Sequence, residues 1–276
     1  MSRITQPVIA LLTDFGARDW YVAAMKGVLC ARAPRARLVD ITHEIPPQDV
    51  MTGAFVMAAA APWFPAGTVF LAVVDPDVGS SRALLAAWAD GRFFVGPDNG
   101  LLSLCFRSAR RARVVRLTNR RLRLPRVSGT FHGRDVMAPV AAYLARGGSL
   151  ARLGPPAARP VTLALPAVRS RAGEVTGTVL HVDAFGNLIT NLRAAHVRDA
   201  ALRFRRNRRC RLRLRNTLRR NEKIIKNNCY GNCCNRRKND LCAANQRNAG
   251  LRSSWSHWTP PQEPLQPLPP LLFVRR

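Results

Sequence analysis

The hydrophobic and polar positions of the first 150 residues follow two alternating patterns. Short apolar runs, typical of strands buried on both faces, alternate with longer stretches that have helical spacing. The apolar runs are PVIALLTDF, ARLVDIT and GTVFLAVVD, and the helical stretches are YVAAMKGVLCARA, DVMTGAFVMAAAAPWF, NGLLSLCFRSA and DVMAPVAAYLARGG. Between them, RALLAAWAD and GRFFVGPD predict a hairpin-like pair of strands. Strands that alternate with helices predict the α/β class, with a mainly parallel sheet covered by helices.

The pattern changes beyond this region. EVTGTVLHVDAFGNLITNL predicts strand, turn and strand, and the Pro/Arg-rich stretch before it predicts a linker. We therefore predict an α/β N-terminal domain over residues 1–170 and the start of a smaller C-terminal β domain over 171–200. Residues 201–276 are predicted to be an atypical basic, Cys- and Pro-rich tail that is irregular.

Charge and cysteine content separate the tail from the rest of the chain. The chain of 276 residues has a formal net charge of +28. Residues 201–276 contain 19 basic and 3 acidic residues and therefore contribute +16 of this charge. An arginine-rich run could bind nucleic acid phosphates, but it has no interleaved aromatic platform. The spacing Cys-x3-Cys-Cys-x7-Cys lacks the paired spacing of zinc sites, so no metal is predicted. No apolar run reaches the roughly 20 residues that span a bilayer, and we expect a cytoplasmic protein without a membrane partner.

Candidate chemistry lies where apolar runs end. Asp14, Asp75 and Asp98 each follow such a run, and ligands of parallel sheets bind beyond the carboxyl ends of strands. Taken singly, each aspartate is typical of a helix cap or a turn, and His132 is typical of a structural histidine. The functional interpretation depends on five motifs in order: LLTDFGARDWY, VVDPDVGSSR, VGPDNGLL, GTFHGRDVMAP and DAFGNLITN.

This ordered set resembles the S-adenosylmethionine hydrolases, the hydroxide adenosyltransferases related to fluorinase and chlorinase, over about residues 5–192. The resemblance implies a homotrimer in which each subunit has an N-terminal α/β domain and a smaller C-terminal β-barrel. It also implies an active site between the N-terminal domain of one subunit and the C-terminal domain of its neighbour. The resemblance further implies S-adenosylmethionine as the substrate and no cofactor.

The resemblance assigns catalytic roles to Asp75, Arg82 and His132, which hold and activate a water. This water attacks ribose C5′, and the products are adenosine and L-methionine. Because methionine leaves as a neutral thioether, no general acid is needed, and a positioned base with near-attack geometry supplies the acceleration. Fluorinase has Tyr at the position of Asp75 and a halide-binding Ser at the position of Gly133, so water is the expected nucleophile.

The resemblance also implies four substrate-binding residues. Asp14 would accept hydrogen bonds from both ribose hydroxyls, and Asn187 would bind adenine through its amide. Asp19 and Asp183 would hold the methionine ammonium. Trp20 and Tyr21 could line the sulfonium by cation–π attraction, although packing is their expected role.

Two departures from the family pattern leave alternatives open. Asp77 stands where the family has glycine in Asp-Pro-Gly-Val-Gly. The tail after residue 200 lacks the alternation of the expected barrel, and we interpret the C-terminal β domain as degenerate or frame-shifted. An inactive member with an incomplete pocket, and a basic protein that binds nucleic acid through its tail, are therefore the alternatives to a hydrolase.

Overall fold

A computed structural model describes residues 6–171, 174–193, 201–205, 211–215 and 271–274. The N-terminal part is a six-stranded sheet with helices on both faces, as the sequence predicts. Its strands are β1 (Val8–Thr13), β2 (Arg37–Thr42), β3 (Val69–Val73), β4 (Leu84–Ala89), β5 (Arg92–Pro97) and β6 (Ala112–Arg116). Its α-helices are α1 (Tyr21–Arg32), α2 (Val50–Ala60), α3 (Ser103–Arg107) and α4 (Ala138–Ala145).

The strand order of this sheet is β2-β1-β3-β5-β4-β6. Strands β1, β2, β3 and β5 are parallel, and β4 pairs antiparallel with β5 and β6. The chain leaves β1 to one side for β2 and then returns to the other side for β3. Strand order therefore reverses between β1 and β3, and such a reversal opens a crevice at the carboxyl ends of the two strands.

Two apolar layers hold the helices against the sheet. Alternate residues of β1 and β3 face opposite sides, so Leu12 and Phe70 join the layer of α2 and α3, whereas Leu11 and Leu71 join that of α1 and α4. All four side chains are almost completely buried. The continuous apolar runs that predicted these strands are thus explained by burial on both faces.

Three elements differ from the sequence prediction. The segment ARVVR was not predicted as a strand, because only two apolar residues stand between arginines, yet it forms the edge strand β6 through pairing with β4. Helix α3 is shorter than the predicted stretch and covers five residues. Before α4, residues Gly133–Met137 form a π-helical turn, which no periodicity announces.

The second sheet is antiparallel, with the order β10-β11-β8-β9-β12 and with β7 paired to β8 outside that path. Its strands are β7 (Arg169–Arg171), β8 (Glu174–Val182), β9 (Leu188–Arg193), β10 (Ala201–Arg205), β11 (Arg211–Arg215) and β12 (Leu271–Val274). The predicted hairpin is therefore present as β8 and β9. Leu180 and Ile189 of this hairpin join the core layer of α2, and Phe55 of α2 lies against the His181 ring at 5.9 Å between centroids.

Three short segments of the tail, residues 201–205, 211–215 and 271–274, are strands of the second sheet. The prediction that most of the tail is irregular stays a prediction. The other tail residues lie outside the described part of the chain, and so do the cysteine motif and most of the arginine-rich run. The predicted domain boundaries stay predictions.

The predicted linker is tied to the first domain. Val161 N donates to Asp98 Oδ1 at 2.8 Å, and Leu163 N donates to Ser103 Oγ at 3.1 Å. Asp98 was predicted at the ligand-binding edge, but its carboxylate here anchors this crossing segment. Among the residues that the structure describes, no helix is long and apolar enough to cross a membrane.

Candidate active site

The crevice between β1 and β3 brings the first two predicted carboxylates to one edge of the sheet. Thr13 and Val73 are register partners at the ends of these parallel strands. Asp14 follows Thr13 directly, and Asp75 lies two residues beyond Val73. The topology thus places both side chains at the carboxyl edge, where a ligand of an α/β sheet binds.

Asp75 and Arg82 form a bidentate ion pair. Arg82 Nε donates to Asp75 Oδ1 at 2.5 Å, and Arg82 Nη2 donates to Asp75 Oδ2. The exposed fractions of the two side chains are 4% and 7%, so the pair lies almost out of solvent. The planar guanidinium fixes the orientation of the carboxylate and offsets its charge.

His132 completes this group, which we call the Asp75 cluster (Asp75, Arg82 and His132). Both terminal nitrogens of Arg82 lie 3.3 Å from His132 Nδ1. Burial lowers the pKa of His132, and the neighbouring Arg82 charge lowers it further. The neutral ring therefore accepts from Arg82 through Nδ1, which leaves the proton on Nε2 as a donor.

Asp14 lies close enough to Asp75 to be affected by its charge. Gln48 N donates to Asp14 Oδ2 at 2.8 Å, and Gln48 adopts a left-handed φ of 65° at this position. Burial raises the pKa of Asp14, the backbone hydrogen bonds oppose this increase, and the Asp75 charge adds to it. A ligand that donates hydrogen bonds to Asp14 would favour its ionised form.

Two residues that the sequence did not single out position the cluster. Asp135 is fully buried in the π-helical turn, where it accepts from Arg134 Nε at 2.6 Å and from Ser128 N at 2.8 Å. Asn99 Nδ2 donates to Val74 O at 2.8 Å and so holds the end of β3 beside the loop after β5. Asp135 follows His132 in the motif HGRD, and this adjacency is the signal that could have found it.

Asp19 and the two aromatic residues after it are exposed at the protein surface. Asp19 is exposed and makes no hydrogen bond or ion pair within the described ranges. Trp20 and Tyr21 pack against each other and against Phe131, with ring centroids 4.8–5.9 Å apart. These rings and Phe15 wall a cavity of about 330 Å³. Trp20 remains 58% exposed, so its face is available beside Asp19 rather than packed in the core.

Asp183 and Asn187 form a compact group in the turn between β8 and β9, which we call the Asp183 turn (residues 183–187). Asp183 Oδ1 accepts from Phe185 N and Asn187 N, and Asp183 Oδ2 accepts from Asn187 Nδ2 at 2.7 Å. The Asn187 hydrogen bond lowers the pKa of Asp183. Within the described residues, no hydrogen bond or ion pair joins this turn to the Asp75 cluster. The chain pairs Asp75, Arg82 and His132 directly and brings Asp14 within reach of the Asp75 charge.

The departure at Asp77 does not strain the backbone. Positive φ values among the described non-glycine residues occur at Gln48 and Asp90, and Asp77 is outside this set. The glycine that this loop requires is Gly79, whose φ is 84° and where an added Cβ would lie 2.5 Å from Gly129 O. Asp77 is exposed and therefore adds charge to the loop without a conformational cost.

Comparison with known proteins finds relatives of one family. Residues 9–154 match the family model described as the SAM hydroxide adenosyltransferase N-terminal domain. An (R)-S-adenosyl-L-methionine hydrolase from Salinispora tropica is 49% identical over 188 residues, which cover 66% of this chain and 70% of that protein. A fluorinase from an Actinoplanes species is 27% identical over 223 residues, which cover 71% and 75% of the two chains.

Solved structures show the same fold. The crystal structure of an uncharacterized conserved protein from Thermotoga maritima superposes with a TM-score of 0.68 at 36% identity, and the match covers 74% of this chain and 81% of that chain. The ordered motifs, the fold and these matches agree. The chain belongs to the SAM hydroxide adenosyltransferase family.

Proposed function

We propose that this protein hydrolyses S-adenosyl-L-methionine to adenosine and L-methionine, with the Asp75 cluster holding the attacking water. The observation that carries the proposal is the buried contact of Asp75, Arg82 and His132 at the crevice between β1 and β3. Hydrolases among the relatives support the reaction class.

The proposed reaction forms one bond and breaks one bond. The water oxygen attacks ribose C5′, the C5′–S bond breaks, and the electron pair returns to sulfur, which becomes the neutral thioether of methionine. Asp75 accepts a hydrogen bond from the water, because a carboxylate has lone pairs left after both oxygens accept from Arg82. His132 donates from Nε2 to the same water. The water loses one proton as the adenosine 5′-hydroxyl forms, and this proton passes to solvent.

The surroundings of Gly133 favour water over a halide. A Cβ at this position would lie 3.3 Å from Met25 Sδ and 3.4 Å from both methyl groups of Val73. The serine that binds halide in fluorinase would require these core side chains to shift. We therefore propose that the site has no hydroxyl donor at position 133. The nucleophile is then the water that the Asp75 cluster holds.

The other predicted residues complete the proposal. Asp14 would bind the ribose hydroxyls, and Asp19 beside the exposed Trp20 would bind the cationic end of the substrate. Asp183 and Asn187 would close the pocket of a neighbouring subunit in a homotrimer, as the resemblance to the family implies. We propose no cofactor and a cytoplasmic location. Light scattering of the purified chain tests the trimer, and a monomer with full activity would contradict it.

The direct test is incubation of the full chain with S-adenosylmethionine, followed by quantification of adenosine and methionine by mass spectrometry. Asp75→Asn should abolish product formation, whereas Asp77→Asn, the same chemical change two residues away at an exposed position, should retain it. Absence of adenosine with the wild-type chain, or equal activity of Asp75→Asn, would contradict the proposal.

A further inference from the structure

A second cavity lies beside the Asp75 cluster and shares two of its residues. Its volume is about 300 Å³, and its polar lining comes from Arg82, Arg116, Thr118, Arg123 and His132. Its apolar lining includes Leu84 and Val136, whereas Asp14 and Asp75 do not line it. It therefore adjoins the crevice in which the water is proposed to act, sharing Arg82 and His132 with it but neither of its two carboxylates. We call it the arginine cavity.

The arginine cavity has an excess of positive charge. Of the residues that the structure describes, three arginines line it and no acidic residue does. Arg82 is paired with Asp75, but neither Arg116 nor Arg123 forms an ion pair with any residue in the described part of the chain. Arg116 lies at the end of β6, the edge strand, and Arg123 follows the short 3₁₀ turn after it.

Arg123 also has an unused donor. Its Nη2 donates to Leu117 O at 3.0 Å, which fixes the guanidinium at the cavity wall. Its Nε is buried, and among the described residues it has no hydrogen-bond partner. A buried N–H without a partner is unfavourable, so the protein alone does not fully satisfy the donors of this guanidinium.

We propose that the arginine cavity binds a small oxyanion, either inorganic phosphate or a carboxylate, through Arg116 and Arg123 with Arg82 and His132 at its inner wall. Guanidinium groups present planar forks of donors that match the oxygens of such anions. The cavity volume admits an anion of this size together with water.

Anion binding has a measurable consequence at His132. The charged groups that act on this ring are Arg82, Asp75, Arg123 and Asp135. Burial and the two arginines lower its pKa, and the two carboxylates oppose them. An anion beside Arg123 and Arg82 adds negative charge, so the pKa of His132 should rise when the anion binds.

Phosphate titration of the full chain by calorimetry at fixed ionic strength tests the site. We expect saturable binding that is about tenfold weaker in Arg116→Gln and in Arg123→Gln, because each loses one charged hydrogen bond. Arg113→Gln is the matched control, because it removes the same charge from the same strand at an exposed position that does not line the cavity. It should bind within about twofold of wild type. An acetate titration distinguishes a carboxylate from a phosphate ligand.

A second measurement distinguishes a specific anion site from nonspecific electrostatic attraction of anions to a chain of net charge +28. The pKa of His132 is measured by NMR, from the chemical shift of its ring protons as a function of pH, with and without saturating phosphate. Phosphate should raise the His132 pKa in wild type, and the same rise should require about tenfold more phosphate in Arg116→Gln. Absence of saturable binding of either anion, equal weakening in Arg113→Gln, or an unchanged His132 pKa would overturn the proposal.

Discussion

Two groups of polar residues differ in how the chain builds them. The Asp75 cluster joins residues from the end of β3, the following loop and the turn before α4, and its ion pair is almost completely buried. The Asp183 turn is made within five consecutive residues, and its carboxylate is occupied by its own turn. The first group exists only in the folded domain, whereas the second needs little beyond a hairpin.

This difference indicates different roles. A carboxylate fixed by a guanidinium and shielded from solvent keeps its geometry during a reaction, which catalysis requires. A turn whose donors and acceptors are satisfied locally is suited to present a surface to a substrate or a neighbouring subunit. Substitutions in the two groups should therefore affect different kinetic parameters.

The largest effect is expected at the Asp75 cluster. Arg82→Ala and His132→Ala should each lower kcat by about a hundredfold or more, because both remove the same organised water. The double variant should lose little more than either single one, since residues that act as a unit are not additive. Steady-state kinetics and substrate binding measure this. Near-normal turnover of His132→Ala would reduce His132 to a structural residue.

A large loss of stability is expected at Asp135. Asp135→Ala leaves Arg134 without its partner and Ser128 N without its acceptor, so the free energy of unfolding should fall by about 3 kcal/mol or more. Urea denaturation measures the change. Asp183→Ala is the matched comparison, because it removes a carboxylate that also accepts backbone hydrogen bonds but is only partly buried. An equal shift of both midpoints would contradict the contrast between the two regions.

A moderate effect is expected at the Asp183 turn. Asn187→Ala should raise KM by up to about tenfold and change kcat less, because it removes one substrate hydrogen bond rather than the nucleophile. The comparison of kcat with KM against Arg82→Ala is the readout. If kcat fell as far as in Arg82→Ala, the turn would belong to the reacting group and the two regions would not differ in role.

The smallest effect is expected at Asp77. Asp77→Gly should leave kcat/KM within about twofold or raise it slightly, because it removes an exposed charge at a position without positive φ. Initial rates at low substrate concentration measure this. A large loss of activity would assign Asp77 a role that neither its exposure nor its backbone indicates.

Periodicity predicted the parts of the fold whose side chains are buried by the sheet itself. Strands β1, β3 and the β4–β5 pair followed from apolar runs, and Asp14 and Asp75 followed from the ends of these strands. Periodicity could not predict the burial of Arg92, which begins β5. This side chain is almost completely buried because Phe64 O and Pro62 O accept hydrogen bonds from its guanidinium. Such a partnership depends on chain segments that are remote in sequence.

The contact between Arg82 and His132 is beyond pattern analysis for the same reason. The two residues are separated by 50 positions, and a π-helical turn presents His132 to Arg82. The resemblance to a family assigned both residues to one water, and the structure places them in contact. Conversely, the sequence pattern predicted the turn that holds Asp183 and Asn187, but the resemblance alone assigned these two residues to the substrate.

The most direct test of the Asp75 cluster as a water-holding site is hydrolysis of S-adenosylmethionine in ¹⁸O-labelled water. The label should appear in the 5′-hydroxyl of adenosine and not in methionine, because the bound water attacks C5′ and sulfur leaves with its electron pair. Fragment masses of the nucleoside locate the oxygen. Adenosine without label, or a halogenated nucleoside as the main product in halide buffer, would contradict the account.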